Sequence, residues 1–133
     1  GRVGNLLGLL QDDQNIHDNF LLYSGDDGST LDFLKAGGHG CISVTANIAP
    51  AKMHQMIASY LDGAEDEATT LNTQLDHLHT HLFCEANPIP VKWCLYKMGL
   101  LTSPHCRPPL VELDSQQYES TLLDALQTAG IEL

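Results

Sequence analysis

Apolar positions follow two different rhythms along this chain. Up to Asn47 they come in short continuous runs, Phe20-Leu21-Leu22-Tyr23-Ser24 and Cys41-Ile42-Ser43-Val44-Thr45. Short unbroken apolar runs are how strands covered on both faces of a parallel sheet read. Between them lies Ser29 to Ala36, closed by Gly37-Gly38. Ser29 with Asp32 resembles a capping box, and Gly37 suits the position just past a helix end. Strand, short helix, strand is a βαβ unit, with a first helix over Asn5 to Gln14 ahead of it.

After Asn47 the spacing turns helical. Pro50 suits a first helical turn, and Met53, Met56, Ile57, Tyr60 and Leu61 then mark one face up to Asp62-Gly63. Ala68, Leu71, Leu75, Leu78 and Leu82 form the stripe of a helix from Glu65 to Phe83. Asn87-Pro88-Ile89-Pro90 interrupts the chain, a short helix runs to Gly99, and Thr102 to Pro109 is an irregular loop. The last helix starts near Asp114 or Ser115, ends at Gly130, and buries Leu122, Ala125, Leu126 and Ala129. The fold class is therefore α/β but mostly helical. Two parallel strands leave unpaired backbone on both edges, so this pattern predicts neighbours from a partner chain or from a larger protein.

Composition narrows the classes. With 133 residues and 43% hydrophobic positions, the chain can build one core. The net charge is −11, and the six basic residues are scattered, which speaks against a nucleic-acid groove or an anionic membrane surface. No apolar run approaches the roughly 18 residues of a membrane helix. The cluster Leu6, Leu7, Leu9, Leu10 is broken by Gly8 and does not read as a secretory signal. Cys41, Cys84, Cys94 and Cys106 form no C-x-x-C pair, and Cys41 reads as a small core residue. Free thiols and a cytoplasmic location are the expectation.

Few side chains suggest chemistry. Ser24-Gly25-Asp26-Asp27-Gly28 follows the first strand, at the end where α/β barrels carry their sites. Asp26 and Asp27 fit a paired acid/base or metal site, or else caps for the next helix, and the capping reading is preferred. His39 enters the second strand from the opposite end and reads as structural, whereas Thr45-Ala46-Asn47 is better placed for ligand contacts. His77, His79 and His81 suggest a metal tract, but only His77 and His81 share a flank, so an exposed polar helix face is expected and no metal site.

Three stretches carry a resemblance: Ser24-Gly25-Asp26-Asp27; Gly37-Gly38-His39-Gly40 continuing through Cys41-Ile42-Ser43-Val44-Thr45-Ala46-Asn47; and Glu85-Ala86-Asn87-Pro88-Ile89-Pro90-Val91-Lys92-Trp93. In these the chain resembles the dihydrodipicolinate synthases rather than the related N-acetylneuraminate lyases and other sugar-acid aldolases. Ala86 stands where that family often has proline. The likeness spans nearly the whole chain but only the second half of the family's sequence.

The resemblance implies the C-terminal part of a (β/α)8 TIM barrel: strands 7 and 8 with their helices in residues 1–48, then the last barrel helix and a helical extension in 49–133. It implies a class I aldolase that condenses pyruvate with aspartate semialdehyde in lysine and diaminopimelate biosynthesis. A lysine amine forms a Schiff base and no cofactor takes part. The family's lysine falls just before the position of Gly1, so the resemblance leaves this chain no catalytic side chain. It assigns substrate contacts to the main chain of Gly25 and to the carbonyl of Ile42. The remaining lysines, Lys35, Lys52, Lys92 and Lys97, all fall on predicted helices. The isolated chain is expected to be inactive, requiring the missing N-terminal half. The alternative is a non-catalytic half-barrel that associates with itself or complements another chain.

Overall fold

A computed structural model describes residues 2–11 and 20–133. Helix α1 spans Arg2–Gln11, and Leu6 and Leu9 on it are exposed. The expected continuation to Gln14 lies outside the described residues. Strand β1 (Tyr23–Ser24), helix α2 (Thr30–Lys35) and strand β2 (Gly40–Cys41) form the βαβ unit, with Tyr23 opposite Gly40 and Ser24 opposite Cys41 in parallel register. Bonds from His39 N–H to the Leu22 carbonyl (2.8 Å) and from Ile42 N–H to the Ser24 carbonyl (2.8 Å) extend the pairing by one residue at each end.

The strands are shorter than the apolar runs suggested. Pairing covers Leu22 to Ser24 and His39 to Ile42, while Thr45–Asn47 coils into a 3₁₀ turn. The reason lies outside the run: the amides of Val44 and Thr45 bond to a carboxylate from the turn after β1, not to a strand. Burial also departs from the two-face expectation. Leu22 and Ser24 point inward, whereas Phe20, Leu21 and Tyr23 are about half exposed and Ile42 is 78% exposed. One face of the strand pair packs on the helices, and the other is bare in this chain.

Four further helices carry the core: α3 (Pro50–Leu61), α4 (Glu65–His81), α5 (Ile89–Lys97) and α6 (Ser115–Thr128). Leu75, Leu78 and Leu82 of the α4 stripe interlock with Met53, Met56, Leu122 and Leu126, all essentially inaccessible. The α4 and α6 stripes fall where their spacing placed them. On α3 the buried side is Met53, Met56 and Ser59, so Leu61 lies past its edge and is exposed. Pro50 occupies the first turn of α3, and the Asp114 carboxylate accepts from Gln116 and Gln117 N–H to cap α6. No helix among the described residues is long and apolar enough to cross a membrane.

The exit from α2 sets the approach to β2. Gly37 has φ +97°, its N–H bonds to the Leu34 carbonyl, and Gly38 N–H bonds to the Phe33 carbonyl. This 5→2 and 6→1 pair is a Schellman ending, which needs the left-handed conformation that glycine adopts without a Cβ penalty. Gly38 is required for a different reason: a Cβ there would lie 2.1 Å from the Phe33 ring. Around Gly28, by contrast, nothing lies within 4 Å of a built Cβ. Gly38→Ala is therefore expected to lower stability by about 1–3 kcal/mol, and Gly28→Ala to stay within about 0.5 kcal/mol of the parent. Urea unfolding of both variants checks this, and equal losses would contradict the packing account.

Candidate functional site

The turn after β1 and the turn after β2 lie side by side at one end of the parallel pair. Asp26 closes the first turn on itself. Its Oδ2 accepts from Ser29 N–H (3.0 Å) and from the Ser29 hydroxyl. Ser24 Oγ donates to the Asp26 carbonyl (3.0 Å) and accepts from the Asp26 N–H (3.1 Å), and Thr30 Oγ1 donates to the same carbonyl (2.8 Å). Asp26 thus fastens the residue that precedes α2 and, against the capping reading, does not reach the free N–H groups of the helix itself. The expected box between Ser29 and Asp32 does not form, because Asp26 takes both the N–H and the hydroxyl of Ser29.

Asp27 acts across the turns. It is 2% exposed, and its Oδ2 accepts from Val44 N–H (3.0 Å) and Thr45 N–H (2.8 Å). Two amides converging on one carboxylate oxygen make charge-assisted bonds, each stronger than a neutral pair. The two neighbouring carboxylates therefore serve different backbones. They do not form the paired acid/base arrangement that their adjacency raised.

Thr45 is fully buried, and its Oγ1 lies 2.9 Å from His79 Nδ1. Within the Thr45-Ala46-Asn47 segment, the Thr45 side chain is thus engaged internally. His79 is itself 5% exposed, a correction to the exposed polar face expected for all three histidines. Its position gave a signal: residue 79 is four past Leu75 and three before Leu82, on the same face of α4. His77 and His81 do sit on the outer flank, His77 Nδ1 lying 3.3 Å from Asp124 and its ring edge-on to His81. Among the described residues no group of three or more His, Cys, Asp or Glu is placed to hold a metal ion.

Gly25 and Ile42 come together. Each is the first residue beyond its strand, the Ile42 N–H is bonded to the residue before Gly25, and both are exposed. His39 takes a structural position at the other end, its Nδ1 accepting from Leu22 N–H (3.0 Å). The lysines lie on helices and three of them are engaged. Lys52 donates to the Ala129 carbonyl (2.6 Å), Lys92 to the His105 carbonyl, and Lys97 to Glu119 (2.7 Å) while lying over the Trp93 ring. Burial raises the Cys41 thiol, against a bond with Thr30, and Asp27 raises it further. Burial, with Cys84 nearby, pushes Cys94 up to about 12. Neither thiol is a ready thiolate nucleophile at neutral pH.

Burial lowers the affinity of His79 for a proton, against the opposing pull of Asp27, Asp76 and Asp26. Its folded value lies below the ordinary 6.5, so unfolded chains bind this proton first as pH falls. The stability that neutral His79 contributes is fully present above about 6.5 and is lost as pH drops below it, levelling off once the folded ring also protonates. Urea midpoints of the parent minus those of His79→Asn are expected to be constant above pH 7 and to decline between pH 6.5 and 5. A difference that rises on acidification would contradict the burial argument.

The family model described as the Dihydrodipicolinate synthetase family matches residues 2–129. A 4-hydroxy-tetrahydrodipicolinate synthase from Alcanivorax borkumensis is 48% identical over 129 residues, which is 97% of this chain and 43% of that protein. The dihydrodipicolinate synthase of Acinetobacter baumannii, solved with pyruvate, superposes with a TM-score of 0.85 at 43% identity, covering 98% of this chain and 42% of that one. The Thermotoga maritima dihydrodipicolinate synthase gives a TM-score of 0.86 at 34% identity, with coverages of 96% and 42%. This chain thus spans well under half the length of the relatives it matches. The strand-end turns, the C-terminal helices and these matches together place the chain in the dihydrodipicolinate synthase family.

Proposed function

We propose that this chain is the C-terminal, site-completing part of a Schiff-base aldolase that joins pyruvate to aspartate semialdehyde in the cytoplasm. In this reading β1 and β2 are the seventh and eighth strands of a (β/α)8 barrel. Residues 1–48 belong to the barrel, and 49–133 supply its last helix and the helical extension. The observation that carries the reading is the pairing of Gly25 and Ile42, two exposed residues that lie together beyond two hydrogen-bonded parallel strands. That is the end of a barrel where substrates bind.

The chemistry divides between two halves. A lysine amine captures the ketone of pyruvate and expels water, and the iminium then accepts the electron pair of a methyl C–H bond, whose proton goes to a base, to give an enamine. The enamine carbon attacks the aldehyde. This chain contributes main chain: Gly25 allows close approach to the substrate, and the Ile42 carbonyl faces the lysine. It supplies no nucleophile of its own. Lys52, Lys92 and Lys97 are tied to other groups, and Lys35 ends α2, away from the strand-end turns. The isolated chain is therefore inactive, and a lysine-bearing N-terminal half restores the site.

A second reading is a non-catalytic half-barrel that covers its strands by self-association. The bare apolar row of Phe20, Leu21, Tyr23 and Ile42 favours a cover of some kind under either reading. Two measurements separate them. Incubation with pyruvate and borohydride, read by mass spectrometry, is expected to leave this chain unmodified and to label the lysine-bearing half once the two are mixed. An adduct on this chain alone would overturn the division of labour. Light scattering at micromolar concentration decides the second reading, which a monomer contradicts.

A further inference from the structure

The turn that carries Ile42 is held from two sides, and only one of them belongs to the strand layer. Asp27 takes the backbone N–H groups of Val44 and Thr45. The Thr45 side chain is anchored 34 positions further on, at His79 of α4. α4 is firmly embedded at this point, since Leu75 and Leu78, and Leu82 just past its end, are inaccessible. We infer that His79 is a positioning residue: the bond between its Nδ1 and Thr45 Oγ1 fixes the strand-end turn, and with it Ile42, against the helical core.

His79 Nε2 is buried and has no hydrogen-bond partner among the described residues. A neutral imidazole carries one N–H and one bare acceptor nitrogen. With the hydrogen on Nδ1 the ring donates to Thr45 Oγ1, and with it on Nε2 the ring accepts from the Thr45 hydroxyl, so either tautomer makes the bond. The contact to Thr45 is thus the ring's one polar anchor among the described residues.

A purely space-filling histidine would behave differently from a positioning one. Leucine at position 79 keeps an apolar side chain in the core but loses the bond. Asparagine is smaller, yet its amide presents an N–H near the former Nδ1. The experiment is NMR on the ¹⁵N-labelled chain. Amide hydrogen exchange at Val44 and Thr45 is compared with that at Leu126 in the core. His79→Leu is expected to speed exchange at Val44 and Thr45 by roughly tenfold or more with Leu126 unchanged, and His79→Asn to restore most of the protection.

Unchanged exchange at Thr45, or equal acceleration at Leu126, would each overturn the inference. Its consequence for substrate rests on the reading of Ile42 given above, and a separate arm tests that. In the chain assembled with a lysine-bearing half, His79→Leu is expected to raise KM for pyruvate more than it lowers kcat. If the turn loosens by exchange while KM does not move, the positioning role stands and the assignment of Ile42 to the pyruvate site falls.

Discussion

Two amide groups, on Val44 and Thr45, lie where β2 has ended and the 3₁₀ turn has begun, with no strand partner to receive them. Leaving a buried N–H without an acceptor costs about 1–3 kcal/mol for each group. Asp27 resolves both with one oxygen, and in doing so it joins the turn after β1 to the turn after β2. Much else depends on that bridge. It stops β2 at Ile42, and it turns Thr45 inward to meet His79. It also holds Gly25 and Ile42 side by side, although the paired stretch beneath them is only a few residues long. A two-residue ladder could not fix that geometry alone, because short isolated strand pairs are marginal in water.

The helices supply the base against which the bridge works. The cluster built on Met53, Met56, Leu75, Leu78, Leu82, Leu122 and Leu126 is closed to water, and α4 carries His79 from that cluster to the strand-end turn. The strand pair is covered on the helical side only. Its other face, with Tyr23 and Ile42 outward, has the apolar character of a surface made to be packed. The division is thus a finished helical core on one side and a bare strand face on the other.

Legibility in the sequence followed how local each determinant was. Pro50, Asp114 and Gly37 act on their own helix ends, and each does what its type and position indicated. The stripes of α4 and α6 also read correctly, because helical period maps directly to burial. Strand length did not. The run Cys41 to Thr45 is apolar throughout, yet what ends the pairing is a carboxylate 17 residues upstream, and no window of sequence around Val44 contains it. Adjacent Asp26 and Asp27 looked like one feature, and they divide because one faces its own turn while the other faces a turn brought near by the parallel crossover. His79 was hidden by its neighbours His77 and His81, which drew the reading toward a polar face. Gly25 and Ile42, proposed to act through backbone, carry no signal in residue type; the resemblance singled them out.

The central claim is that the Asp27 carboxylate, more than the short ladder, holds the two strand-end turns together. The most direct test is urea unfolding of Asp27→Ala beside the exposed control Asp32→Ala. Removing the acceptor leaves two amides unsatisfied, so Asp27→Ala is expected to cost roughly 2–5 kcal/mol, and Asp32→Ala no more than about 0.5 kcal/mol. An Asp27→Ala chain as stable as the control would contradict the account.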